Sequence, residues 1–260
     1  MSRILLVARR EVLETLRQPW LLVNLTSVLG VVSTACLALL TLTDWVLADP
    51  ARGADLTYWT DVAGFRVEAP GATLAASTVL LLQALVFNQL MSMTAVMAGH
   101  AGLHDRQCGT LPFLLLAPIR RGELLAGKVL GSLAVPFAIY VVVGGSASVL
   151  AAAHPSAAPS AALLPPSPGW AVGFLGVAPL WALATGTVCT LVSAVAQDVR
   201  TAQQAAWAVV FLATFALSPL LVALVAGGPA ALLPLAVLGA AATAGLLAWG
   251  AWRLGRSLGG

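Results

Sequence analysis

Charge is missing from four long stretches of this chain: residues 18–43, 69–99, 129–197 and 201–252 contain no Asp, Glu, Lys or Arg. Their lengths are 26, 31, 69 and 52 residues. A hydrocarbon core about 30 Å thick is crossed by roughly 20 helical residues, so the first two runs hold one crossing each and the last two hold two each. The pattern predicts six membrane spans. The runs take up more than two thirds of the 260 residues, which leaves no sizeable soluble domain and puts function in the membrane or at its faces.

Only 9% of the residues are charged and 60% are hydrophobic, whereas a soluble domain is about a quarter charged. The formal net charge of +3 does not point to nucleic acid, because no basic cluster is interleaved with aromatics. Cys36, Cys108 and Cys189 are widely separated, and Cys36 and Cys189 fall in predicted spans as small apolar residues. Neither a disulfide framework nor a zinc cluster is indicated. Arg9, Arg10, Glu11, Glu14 and Arg17 interrupt the place where the apolar region of a cleavable signal would sit, so the first segment is expected in the mature protein.

An all-α, polytopic fold follows, with six transmembrane helices preceded by an interfacial amphipathic helix. Over residues 2–18, Leu5, Val12, Leu13, Leu16 and Trp20 share one arc, with Arg3, Arg10, Arg17 and Glu14 on the other, although Arg9 intrudes on the apolar side. The alternative is a polar tail leading into the first span. The expected elements within a single domain, 1–260, are the interfacial helix over 1–18, spans near 20–43, 73–98, 124–153, 170–196, 202–226 and 230–252, and a cytoplasmic loop over 99–123. Pro155, Pro159, Pro165, Pro166 and Pro168 separate spans three and four, and Gly227-Gly228-Pro229 breaks the last run.

With both termini cytoplasmic, eleven of the thirteen Lys and Arg lie inside and only Arg52 and Arg66 outside, as the positive-inside rule requires. The loop after span one, holding Asp44, Asp49, Asp55, Asp61 and Glu68, then faces outward. Trp20, Trp45, Trp170, Trp207, Trp249 and Trp252 fall near span ends, where interfacial belts form.

Candidate chemistry is sparse. Residues 122–128 have phosphate-loop spacing, but Val129 stands where magnesium would need Ser or Thr, and Leu124-Leu125-Ala126 favours helix. The reading preferred here is the cytoplasmic start of span three, with Lys128 snorkelling to the headgroups. His100 and His104 share a helical face beside Asp105, yet a third strong ligand at helical spacing is lacking, so no metal is assigned. The predicted spans hold no charged group that would equip an intramembrane hydrolase. Gln83, Asn88 and Gln89 are the strongest polar residues of span two and either bond between helices or line a substrate path. Gly127 and Gly131 form a small-x-x-x-small pair suited to close helix contact.

One segment carries a resemblance. It runs His104-Asp105-Arg106-Gln107-Cys108-Gly109-Thr110-Leu111, then Leu114-Leu115-Leu116-Ala117-Pro118-Ile119-Arg120-Arg121-Gly122-Glu123-Leu124-Leu125-Ala126-Gly127-Lys128. It resembles the permease subunits of type-2 ATP-binding-cassette exporters, in which a Gly-Thr-Leu between spans two and three is followed by a leucine run, a Ser/Ala-Pro turn, a basic residue and Glu-Leu-Leu-x-Gly-Lys. The stretch Asp198-Val199-Arg200-Thr201-Ala202-Gln203-Gln204 is of a kind also common there. The chain departs from the family at Gln107, often Glu, and at Pro112, often acidic.

The resemblance implies a permease of the cytoplasmic (inner) membrane that moves substrate outward and performs no chemistry itself. No cofactor is bound by this chain; ATP and Mg sit on a separate cytoplasmic ATPase subunit, and a second permease, identical or not, completes the assembly. Asp105, Arg106, Gln107, Gly109 and Thr110 would serve ATPase coupling, with Arg120, Arg121 and Glu123 anchoring the hinge. The competing class is an ATPase-independent membrane protein, such as an assembly factor or a channel.

Overall fold

The structure, a computed structural model, describes residues 3–17, 19–49, 70–109, 119–155, 157–158, 164–193, 196, 198–227 and 232–256. Among these the regular structure is helical, with no strand. A short helix α1 (Arg3–Leu16) precedes α2 (Pro19–Leu47) and α3 (Pro70–Gln107). Next, α4 (Arg121–Ile139) passes through a wide π-helical turn, Tyr140–Gly144, into α5 (Gly145–Ala152). Beyond the prolines, α6 (Pro168–Ala171) passes through a second π-helical segment, Val172–Val177, into α7 (Ala178–Ser193), followed by α8 (Val199–Gly227) and α9 (Leu232–Arg256). Among the described residues, three stretches are long and apolar enough to cross a membrane: Ser77–Asp105, Gly122–Ala152 and Pro168–Ser193.

Local chemistry explains where these helices begin and end. Ser167 caps α6 by accepting the Trp170 N–H at 3.1 Å, with Pro168 in the first turn where its missing donor costs nothing. At the head of α8 the Asp198 carboxylate accepts the Thr201 N–H at 2.6 Å, a bond that holds its pKa below the usual value. The Glu123 carboxylate accepts the Arg120 N–H at 2.9 Å at the start of α4. Gly109, at φ 66°, takes the left-handed conformation that ends α3.

Helix α3 is the central element and packs against α2, α4, α7 and α8. Its Leu82, Val86, Leu90 and Met91 are fully buried. Where α3, α7 and α8 meet, the packed residues are Ala95, Ala98, Cys189, Ala206 and Val210. In lipid there is no hydrophobic drive between helices, so small residues that let backbones approach supply the attraction. Thr94, Ser132, Ser148 and Thr190 each donate their hydroxyl to the carbonyl four residues back, which leaves these buried oxygens satisfied within their own helix.

The two π-helical segments face each other. The Tyr140 ring stacks on Phe174 with centroids 4.1 Å apart, Phe174 stacks on Trp170 at 4.7 Å, and the Tyr140 hydroxyl donates to the Phe174 carbonyl at 3.3 Å. Pro136, which has no N–H to give, lies one turn before the first segment. At the end of α2, Asp44 pairs with His154 at 2.8 Å.

One expected boundary needs revision. Helix α3 runs to Gln107, so the segment expected as a loop over 99–123 starts as helix, and residues 110–118 lie outside the described residues. On α1 the face turned to the rest of the chain holds Val7 and Glu11, both buried, and Leu5, Leu13 and Leu16 of the apolar arc are left exposed. Trp45 and Trp252 are exposed near helix ends and Trp207 and Trp249 are exposed about two turns further in, while Trp170 is half-buried in its aromatic stack. The loop over 50–69 lies outside the described residues.

Candidate functional site

Three elements meet at a junction formed by α1, the last turns of α3 and the first turns of α4. Helix α1 can approach α4 because Gly127 and Gly131, one helical turn apart, present no side chain to it. A Cβ built on Gly127 would lie 2.6 Å from the Val7 Cβ and 3.0 Å from the Ile4 carbonyl; one on Gly131 would lie 2.5 Å from the Glu11 Cβ and 3.0 Å from the Ala8 carbonyl. This is the contact for which the small-x-x-x-small spacing is suited, and its partner is α1.

That close approach brings ionisable groups together away from water. The Lys128 ammonium donates to Glu11 Oε1 at 2.9 Å and to the Ala101 carbonyl at 3.1 Å, and it is also paired with the Asp105 carboxylate. Asp105 accepts a second cation, the Arg10 guanidinium, at 2.8 Å, and Arg10 also holds Glu14 at 2.8 Å. Exposure is 5% for Glu11, 5% for Lys128 and 1% for Asp105, so each of these charges depends on its partners rather than on solvent. Burial pushes the Glu11 carboxyl above its usual value, against the pull of Lys128. Burial lowers Arg10, but Asp105 and Glu14 together raise it above the ordinary value. Lys128 is therefore not a snorkelling residue; it ties α1 to α3 from within α4.

The residues expected to act in coupling divide between this junction and its margin. Asp105 faces inward and is used by the chain itself. Gln107 and Gly109 are exposed at the end of α3, and Arg120 and Glu123 stand at the start of α4, exposed and half-buried respectively. Arg106 and Arg121 lie on α3 and α4, with side chains outside what the structure describes, and Thr110 is outside the described residues. Residues 122–128, with their phosphate-loop spacing, are α-helix. The His100 ring meets the Gln203 amide at 3.1 Å, while His104 lies 3.6 Å from the Cys108 sulfur.

The amides of α3 point to different neighbours. Gln83 donates to the Ser148 hydroxyl at 3.1 Å, toward α5, and Asn88 accepts from the Thr214 hydroxyl at 2.6 Å, toward α8. Gln89 is half-buried. Asn88 and Thr214 also line an open, mostly apolar groove of about 530 Å³ with Trp207, Ala208, Val210 and Phe211.

Comparison with known families settles the class. The family described as ABC-2 family transporter protein matches this chain over residues 5–234. The chain belongs to that family. No curated protein matches it. This ABC-2 family member is thus a membrane protein of the permease type, a component of an ABC transporter, and membership implies an ABC ATPase partner in general. The match takes in all of the junction from Val7 to Gly131 as well as the Asn88 groove.

Sequence reasoning missed Arg10, Glu11, Glu14 and Lys128 as a group. One signal was present: Val7 and Glu11 share the spacing of Gly127 and Gly131, and the two pairs are apposed. What the sequence lacked was any local mark of which helix would face which.

Proposed function

We propose that this ABC-2 family member is the membrane-spanning permease of an exporter, driven by ATP hydrolysis on a separate cytoplasmic subunit that engages the segment between α3 and α4. The observation that carries this reading is the buried ion network that joins α1, α3 and α4 beside that segment. A push on the segment would reach one rigid unit instead of three loosely related helices. Closure of an ATPase pair on ATP would then bias the spans between inward and outward access. Six crossings suit this arrangement: α2, α3, α4 with α5, α6 with α7, α8 and α9, with α1 along the cytoplasmic surface. A second permease, identical or not, would complete the pathway.

Within this reading, Arg106, Gln107, Gly109 and Thr110 form the contact with the ATPase, Arg120, Arg121 and Glu123 anchor the hinge, and Asp105 positions the contact from inside the junction. The double variant Arg106→Ala with Gly109→Val, reconstituted with the co-purified ATPase, is expected to lose substrate-stimulated hydrolysis while keeping its helical content. Valine at a φ of 66° is strained by roughly 1–2 kcal/mol, which deforms the contact without entering the core. Retained stimulation, or failure of any ATPase to co-purify from native membrane, would defeat the proposal.

Gln83, Asn88 and Gln89 are assigned to the substrate path, with Asn88 best placed because it opens on the groove beside Trp207 and Phe211. Replacing Asn88 by Leu removes a polar group worth about 1 kcal/mol to a hydrogen-bonding substrate. Apparent affinity in vesicle transport should fall about fivefold for such a substrate and stay level for a wholly apolar one.

A further inference from the structure

The charges of α1 are sorted by face. Both of its acids, Glu11 and Glu14, turn toward the junction, where Lys128 and Arg10 take them up. At about 100° per residue, the opposite side presents Leu16, Arg9, Leu13, Leu6 and Arg17 in order around the helix, and all five are exposed. Leu6 and Leu16 are each 51% exposed and Leu13 is 45% exposed. Neither Arg9 nor Arg17 takes part in the inner network, so the outward face combines apolar area with positive charge and carries no acid.

We infer that this face of α1 is a binding site for anionic phospholipid, with Leu6, Leu13 and Leu16 entering the acyl boundary and the Arg9 and Arg17 guanidinium groups holding the headgroup phosphates. The inference deepens the proposed reading and rests on its placement of α1 along the cytoplasmic membrane surface. Leucines alone would suit any lipid. Two arginines set among them, with the helix's carboxylates withdrawn to the other side, select for negative headgroups, because guanidinium offers a planar fork of donors to phosphate. Arg9 at the centre of the leucines can reach upward on its long stem while its methylenes remain against lipid. Each basic residue near an anionic surface contributes about a fivefold gain in binding, so the pair should give a preference on the order of tenfold or more.

The test uses the full chain in detergent, titrated with phosphatidylglycerol or phosphatidylcholine of the same acyl composition, with retained lipid counted by native mass spectrometry. The wild-type chain should retain phosphatidylglycerol on the order of tenfold better. The Arg9→Gln, Arg17→Gln double variant should lose most of that preference, and the Arg9→Lys, Arg17→Lys variant should keep part of it. Equal retention of the two lipids by the wild type, or an undiminished preference in the glutamine variant, would overturn the inference. So would a glutamine variant that keeps the preference but sheds its co-purified ATPase, since the face would then be a protein dock. A Leu13→Cys probe, in a background with Cys36, Cys108 and Cys189 replaced by Ala, separates the two levels of the argument. Protection of the probe from a water-soluble thiol reagent in liposomes, without headgroup preference, would sink the lipid site alone. Full reactivity would sink the interfacial placement as well.

Discussion

Lys128→Met is expected to release α1 from the rest of the chain. The substitution keeps the length of the side chain but removes the cation shared by Glu11 and Asp105, which are 5% and 1% exposed. Breaking a buried pair by deleting one partner costs about 3–5 kcal/mol, because the remaining charge has no water to turn to. The effect should be larger than that of deleting an acid. Arg10 and Lys128 face three carboxylates, from Glu11, Glu14 and Asp105, so removing a cation widens an existing excess of negative charge, whereas Glu11→Gln removes that excess. Burial already holds Glu11 above its usual pKa. A carboxyl raised on folding contributes stability that is complete below its unfolded value and is lost as pH rises through the folded value. Glu11→Gln should therefore be mild, and should weaken whatever loss of stability the chain shows as pH rises above the ordinary glutamate range. Limited trypsin digestion in detergent reads both outcomes: Lys128→Met should open the bond after Arg10, whose side chain the network holds, and Glu11→Gln should leave it protected. A Lys128→Met protein with unchanged digestion and melting would show that the network does not hold α1.

Gly131→Ala should produce a comparable displacement by a steric route. The new methyl would lie 2.5 Å from the Glu11 Cβ and 3.0 Å from the Ala8 carbonyl. A Cβ and a backbone oxygen cannot swing aside as the tip of a flexible chain can, so either α1 lifts or α4 bends. Overpacking of this kind costs about 1–3 kcal/mol, and with Gly127→Ala added the two clashes act on the same pair of helices and should couple. Gly30 and Gly245 serve as internal controls, since a Cβ at either meets nothing within 4 Å. Alanine there should be neutral or stabilising by up to about 1 kcal/mol, since glycine in a helix interior is the poorer former. Melting of the purified variants, set beside the trypsin pattern, would discriminate a specific loss of α1 from a general loss of stability. Equal behaviour of Gly131→Ala and Gly30→Ala would refute the close-approach account.

Much of the helical framework was legible because a bilayer imposes its thickness on any uncharged run, and because proline and glycine mark where such runs must stop. The end of α3 was not. His100, His104, Asp105 and Arg106 read as a polar loop by local composition, yet the helix continues to Gln107 because the Asp105 charge is matched by Arg10 and Lys128, residues far away in sequence. The same reason hid the junction. The resemblance gives Asp105 a coupling role, and nothing local shows that its carboxylate is held by Arg10 and Lys128 from two other helices. Gly127 and Gly131 announced a close contact, but spacing alone cannot name the opposing element. Gln83 and Asn88 lie five residues apart and bond to α5 and α8 respectively, as their different directions around the helix suggest.

The wide turns at Tyr140–Gly144 and Val172–Val177 alter the phase of the two rods that contain them. A hydrogen bond that skips to the fifth residue takes up an extra position, so a stripe that begins on one side of α4 does not continue on that side of α5. The first half of this rod is thereby free to serve α1, while its second half turns toward α2. One continuous helix thus answers to separate neighbours at its two ends, and a twist applied at either end need not be repeated at the other.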